Sequence, residues 1–159
     1  MNFWGTYFGK ILITFATAMV PVLELRAAIP YGVGAGLGLP VSILVSIIGN
    51  LVPVPFIILF IRKIFTWLRE KSGKLDRLVT RLEKRADQKA EVVHRYEFWG
   101  LVLLVAIPLP GTGAWTGALV AALLGRRLSH AMLSIGAGVM TACCIVALLC
   151  KGIIHIAGL

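Results

Sequence analysis

The sequence predicts an all-α integral membrane protein. The expected plan is an inverted repeat of a re-entrant helical hairpin plus a transmembrane helix, its two copies joined by a basic cytoplasmic amphipathic helix. Three observations predict it. Of the 159 residues, 58% are hydrophobic and only 14% charged, far from the balance of a soluble domain. The segment Ala28-Ile29-Pro30-Tyr31-Gly32-Val33-Gly34-Ala35-Gly36-Leu37-Gly38 returns as Ala106-Ile107-Pro108-Leu109-Pro110-Gly111-Thr112-Gly113-Ala114-Trp115-Thr116-Gly117, one residue longer. Residues 62–97 hold 11 of the 16 Lys/Arg and six of the seven acids. Hydrocarbon cannot satisfy the backbone groups that Pro and Gly free, so a repeated Pro/Gly break belongs in a protected cavity.

The whole chain, 1–159, reads as one membrane domain. Residues 1–20 form an apolar N-terminal segment, of which 3–20, interrupted by Lys10, are either an interfacial helix or an additional span, with no counterpart in the second copy. No basic n-region or small-residue cleavage site marks it as a cleavable signal, so it is expected to persist. Repeat 1 covers 21–68, with a leading arm near Pro21 to Ile29, a bend at Pro30 to Gly34, a return arm near Ala35 to Ile48 and a span from about Leu51 towards Leu68. The linker, 69–97, is cytoplasmic by the positive-inside rule. After a break near Gly73, its apolar residues Leu75, Leu78, Val79, Leu82, Ala86 and Val93 keep helical spacing. Such a basic juxtamembrane helix is expected to rest on anionic headgroups rather than to bind nucleic acid.

Repeat 2 covers 98–150. Its apolar run from Phe98 to Leu124 is followed at once by Arg126-Arg127. A single crossing would put both arginines outside, whereas entering, turning at Pro108 to Gly113 and returning keeps them inside. About ten residues from Phe98 to Ile107 rise roughly 15 Å, half the hydrocarbon thickness. Ala131 to Cys150 is then a full span, and 151–159 a tail outside. The first hairpin opens from the opposite face, which is the construction of an alternating-access transporter.

The chemistry narrows to Glu24, the only acid outside the linker, and Arg26, both costly at membrane depth and therefore candidates for function. Two residues apart on a helix, they do not face each other, and each needs its own partner. A carboxylate in a dry cavity exchanges a proton near neutral pH, which suits Glu24 to proton coupling. Arg26 stays charged and holds phosphate or carboxylate with paired donors. The alternative is that the two residues lock the repeats together. Val102 and Leu104 stand at the matching positions of the second copy, so the repeat is symmetric in shape but not in charge.

Further candidates for binding substrate or protons line the two bends: Pro30 and Asn50 in the first copy, and Pro108, Pro110, Gly111, Thr112, Gly113 and Trp115 in the second. Asn50 either lines the path or caps a kinked span beside Pro53 and Pro55; Trp115 either touches a substrate chain or anchors at the interface. The pairs Gly32/Gly36, Gly34/Gly38 and Gly113/Gly117 suit close helix approach within a protomer or across a homodimer. Cys143, Cys144 and Cys150 read as small packing residues. His94, His130 and His155 lack metal-ligand spacing, the Gly-x-Gly patterns lack the context of a dinucleotide site, and no nucleophile-base set appears. Neither a cofactor nor enzymatic activity is expected.

The run Glu24-Leu25-Arg26-Ala27-Ala28-Ile29-Pro30, the later Pro108 to Gly117 and the charged linker between them resemble the prokaryotic small multi-drug export protein family, over nearly the whole chain. That family is distantly similar to the DedA/VTT-type membrane proteins, built on opposed re-entrant hairpins. The resemblance implies a multi-pass protein of the prokaryotic cytoplasmic (plasma) membrane, with membrane lipids as partners and Glu24 and Arg26 at the charged positions of the first hairpin. The DedA-type second hairpin carries its own arginine; here Leu104 and Val105 precede Ala106. The leading expectation is a proton-coupled transporter of an amphipathic anion such as a polyprenyl-phosphate lipid. The rivals are an exporter of cationic drugs and a non-transporting scaffold acting through its basic linker.

Overall fold

The computed structural model describes residues 5–107, 109 and 112–156, with backbone alone for 90–97 and 153–156. These residues form seven helices and no strand: α1 (Tyr7–Met19), α2 (Glu24–Gly34), α3 (Leu39–Leu51), α4 (Pro53–Lys71), α5 (Gly73–Ala106), α6 (Ala114–Leu123) and α7 (Leu128–Ile156).

Two rods are long and apolar enough to cross a bilayer. Only Val52 separates α3 from α4, and it keeps right-handed helical dihedrals while its N–H donates to the Ile48 carbonyl at 3.0 Å. Pro53 follows at the first position of α4, where a missing N–H costs little. The result is a 33-residue stretch, Leu39–Lys71, roughly 50 Å long. The second is Leu128–Gly152 of α7. Less than half of either apolar window is buried inside the protein, 39% and 44%. Leu44, Ile48 and Phe56 on one rod, with Leu133 and Leu148 on the other, face outward. A soluble core helix would bury those side chains; here they form the surface that hydrocarbon wets.

The two halves share a plan. A leading helix (α1, or the end of α5) is followed by a short helix (α2 or α6), a left-handed glycine stop and a long rod. Gly36 at φ 86° ends α2, with the Leu37 N–H reaching back to the Gly32 carbonyl; Gly125 at φ 65° ends α6, with the Arg126 N–H on the Ala121 carbonyl. Both are glycine-dependent C-caps of the Schellman type. In each rod a glycine lies against the leading helix's backbone. A Cβ on Gly49 would come 2.7 Å from the Phe15 carbonyl, and one on Gly138 2.9 Å from that of Val102. Buried positions repeat too: Ser42, Ser46 and Asn50 along α3 match Ala131, Ile135 and Val139 along α7.

This plan corrects the sequence reading in three places. The first bend is not at Pro30 to Gly34, because α2 runs through Pro30 to Gly34 and turns at Ala35 to Gly38. A proline seven residues into a short helix removes one hydrogen bond, whereas Gly36 and Gly38, both at positive φ, reverse the chain. Within the N-terminal segment, expected to have no counterpart, α1 does have one, since it packs on α2 and α3 as α5 packs on α6 and α7. At 13 residues, α1 is too short to cross hydrocarbon alone. The predicted return arm and following span of repeat 1 are also fused into one rod.

The linker breaks at Ser72, whose hydroxyl accepts the Lys74 N–H and starts α5. Rather than standing clear as a connector, α5 packs on α4 and α6, burying Val79 and Ala86, while Leu78 stays exposed. The Val93 side chain lies outside the described residues. Arg69 of α4 meets Asp76 and Glu83 of α5 across the joint. Of the glycine pairs, Gly32 approaches Ser42 and Gly117 approaches Val105, both within one protomer. Cys143, Cys144 and Cys150 are unbridged.

Candidate functional site

The charged pair of α2 fastens the bend of the second half. The chain leaves α1 through a turn at Pro21 to Leu23, and the Glu24 N–H donates to the Val20 carbonyl at 3.0 Å. Glu24 opens α2 at φ 48°, a left-handed conformation that costs a non-glycine residue about 1 kcal/mol or more. Its side chain is 3% exposed. The carboxylate faces the first backbone N–H groups of α6, those of Ala114 and Trp115, and Oε1 accepts the latter at 3.4 Å. A negative charge at a helix N-terminus is stabilising, by up to about 2 kcal/mol when partly buried. Gly113, at φ 129°, lies against the carboxylate so closely that a Cβ would collide with it. The Trp115 indole N–H donates to the Met19 carbonyl at 3.0 Å, tying α6 to the end of α1.

Arg26 holds the other end of the same bend. One terminal nitrogen donates to the Leu109 carbonyl; the other reaches the Thr112 carbonyl and hydroxyl, each at 3.0 Å, and the Ile107 carbonyl at 3.3 Å. The Thr112 hydroxyl also lies 2.7 Å from both the Ile107 and Leu109 carbonyls and accepts the Leu109 N–H. A guanidinium's planar fork can gather several carbonyls at once; an ammonium cannot. Glu24 and Arg26 form no ion pair with each other, as their two-residue spacing predicts. One satisfies donors of the bend and the other its acceptors.

Of the sequence-predicted residues, Glu24, Arg26, Thr112, Gly113 and Trp115 come together here. Pro30 does not: it is exposed on α2. Asn50 is fully buried on the α3 face that also presents Ser42 and Ser46, and neither its amide atoms nor the Ser46 hydroxyl has a hydrogen-bond partner. Pro108, Pro110 and Gly111 lie outside the described residues. Among the described residues no group of three His, Cys, Asp or Glu could hold a metal.

Sequence reasoning missed the carbonyls of Met19, Ile107, Leu109 and Thr112, which carry no side-chain signature. It also missed Lys89. This residue continues the stripe of Val79, Leu82 and Ala86 along α5, and it is half-buried. Burial, then the like charges of Arg26 and Arg85, hold its ammonium below the ordinary lysine range. A lysine at the next apolar position of an amphipathic helix was the available signal.

These features define a helical membrane protein whose two halves are joined by a charged clamp. The chain belongs to the small multi-drug export protein family, whose model matches residues 24–145, a stretch running from Glu24 through the bend and into α7. No curated protein and no solved structure matches it. Family and apolar helices together make this a small transporter-like membrane protein.

Proposed function

We propose that the protein is a proton-coupled transporter of an amphipathic anion, such as a polyprenyl-phosphate lipid, in the prokaryotic cytoplasmic membrane. The clamp is its gate, and the two short-helix hairpins are re-entrant elements opening from opposite faces. The observation that carries this reading is the buried Glu24 carboxylate on the N-terminus of α6, beside an arginine that closes the same bend. As an anion Glu24 is held by the α6 helix dipole and backbone N–H groups; a proton cancels that attraction. Released from Glu24, α6 can move away, and the guanidinium of Arg26 can exchange loop carbonyls for an anionic headgroup, its stronger partner. Two states that differ in this clamp supply the alternation that transport needs.

The test uses purified protein in liposomes with a fluorescent isoprenoid phosphate and an imposed pH gradient. Wild type should move the probe in response to the gradient; Glu24→Gln should not respond to it, and Arg26→Ala should lose the probe altogether. Gradient-driven movement by Glu24→Gln at the wild-type rate would remove the proton role. A second reading, export of cationic compounds, is favoured by the family description and by Glu24 as the sole acid outside the linker. It predicts drug resistance lost in Glu24→Gln but largely kept in Arg26→Ala.

A further inference from the structure

The first hairpin carries a polar row that the clamp does not use. Ser42, Ser46 and Asn50 stand one helical turn apart on α3, all fully buried, where α7 has Ala131, Ile135 and Val139. The other buried hydroxyls among the described residues, those of Thr14, Ser42 and Ser134, each donate to the carbonyl four residues back. The Ser46 hydroxyl and both amide atoms of Asn50 have no such partner. Buried polar atoms left open are costly, so a run of them points to a partner taken up in another state. The register of the hairpin gives the row two ends. Helices α2 and α3 run antiparallel about the turn at Ala35 to Gly38, and Gly32 faces Ser42, since a Cβ on Gly32 would lie 2.5 Å from the Ser42 hydroxyl oxygen. Eight residues from that crossing, roughly 12 Å along each helix, α3 reaches Asn50 and α2 reaches Glu24, so amide and carboxylate lie at one depth. At the other end Ser42 donates to the Gly38 carbonyl, and the Lys10 ammonium lies 3.9 Å from where a Cβ on Gly36 would be. That end is opposite Lys71 and the linker, because Leu39–Lys71 is one rod.

We propose that Ser42, Ser46 and Asn50 form the route by which protons reach Glu24, carried on water that enters from the Gly36 to Gly38 end when α1 and α2 loosen from α3. The route rests on the proton role given to Glu24 under the proposed function, and it names the path and the face of entry. Residues four apart on a helix rise about 6 Å, the span that one water bridges with two hydrogen bonds. Hydroxyls and a carboxamide both donate and accept, as a chain of water requires, whereas a metal cation would need acceptors alone. A proton arriving on this water passes to the Glu24 carboxylate, and the neutral acid that results lets go of α6. The row holds no titratable group of its own, and Thr14 and Gly32 face it from α1 and α2. The charges about it are Lys10 at the mouth and Arg26, which is held by the carbonyls of the second bend. Helix α6 carries no charged side chain, α4 carries none before Arg62, and the titratable groups that α7 buries are the Cys143 and Cys150 thiols. Because the matching face of α7 is apolar, Glu24 is supplied from one side in this arrangement. With the linker placed in the cytoplasm, that side is the outer one. The open amide atoms cost stability in the packed state, which is compatible with a row that works only when water enters it.

The experiment follows hydrogen–deuterium exchange at the Glu24 carboxyl by infrared difference spectroscopy of the full-length protein in phosphatidylcholine nanodiscs. The Glu24 band is assigned by its loss in Glu24→Gln. Asn50→Leu and Ser46→Ala should each slow the exchange about ten-fold, the loss of one hydrogen-bonded relay step. Asn50→Gln and Ser46→Thr keep the polar atoms and should exchange as wild type does, which separates a lost relay from altered packing. Ser134→Ala, whose hydroxyl lies on α7 and is already bonded to the His130 carbonyl, should change nothing. Undiminished exchange in the Ser46→Ala/Asn50→Leu double variant overturns the route, as does a Glu24 carboxyl that takes no proton before the protein unfolds. The face of entry is read in intact cells on a cysteine-free background. External silver ion should block Ser46→Cys but not Ile135→Cys, its match on α7, measured as maleimide labelling lost after denaturation. Equal blocking of both overturns entry from one side. Fast Glu24 exchange through the row, with no gradient-driven movement of isoprenoid phosphate by wild type, would sink the transport reading and leave the route standing.

Discussion

Gly113→Ala strikes the clamp at its tightest point. The residue lies at φ 129° and ψ −170°, a region essentially reserved for glycine, which adds about 1–3 kcal/mol for alanine. Its Cβ would also fall on the Glu24 carboxylate. That carboxylate is 3% exposed and cannot swing into water, so it must leave the Trp115 N–H, forfeiting a charged hydrogen bond of about 1.5–3 kcal/mol. The two effects together come to roughly 2.5–6 kcal/mol. Denaturation in mixed micelles, followed by tryptophan fluorescence and helical circular dichroism, measures it. A double-mutant cycle isolates the contact: Glu24→Asp shortens the side chain and vacates the space, so Gly113→Ala should cost about 1–3 kcal/mol less in that background. Additive effects would refute the reasoning, because they would leave Gly113 and Glu24 out of contact.

Three further outcomes are expected. Asn50→Leu removes two buried amide atoms without partners, so it should raise unfolding stability by about 1–3 kcal/mol; a fall would mean that the amide is satisfied. Gly49→Ala and Gly138→Ala should each destabilise by about 1–3 kcal/mol, since their Cβ atoms meet a leading-helix carbonyl. Gly136→Ala, with open space around it, should be neutral or stabilising by under about 1 kcal/mol; equal losses at all three would discredit the close crossings. In intact cells, on a cysteine-free background, single cysteines at the exposed positions Ser72 and Ser129 should both resist an impermeant outside reagent, and labelling at 129 would make the second hairpin a plain crossing.

The sequence made the rod of α7 legible because its apolar window is unbroken, and the break at Ser72 because charge and glycine mark it; the rod of α3 and α4 was split in two because Pro53 and Pro55 read as a boundary, although the helix carries Pro53 at a first-turn position. The second bend also sits between Ala106 and Ala114, where the Pro/Gly cluster predicts it. The first copy was misplaced because its residues were aligned by composition: Pro30 resembles Pro108, yet the helix absorbs Pro30 and left-handed glycines do the turning. The equivalence of α1 with the end of α5 was hidden because it rests on Gly49 and Gly138 meeting carbonyls, a shape without a motif. Glu24 and Arg26 stood out as isolated charges. Their partners did not, because these are main-chain groups that every residue carries.

The clamp also sets an order of assembly. Arg26 reaches partners 81 to 86 positions further along the chain, and Glu24 one that lies 91 further. During synthesis both charged residues emerge and approach the bilayer before the bend that satisfies them has been made. The first half therefore carries a debt of unpaired charge until α6 arrives, and a nascent chain arrested after α4 should remain loosely inserted and open to proteolysis. Completion of the second half is then what commits the first to the membrane.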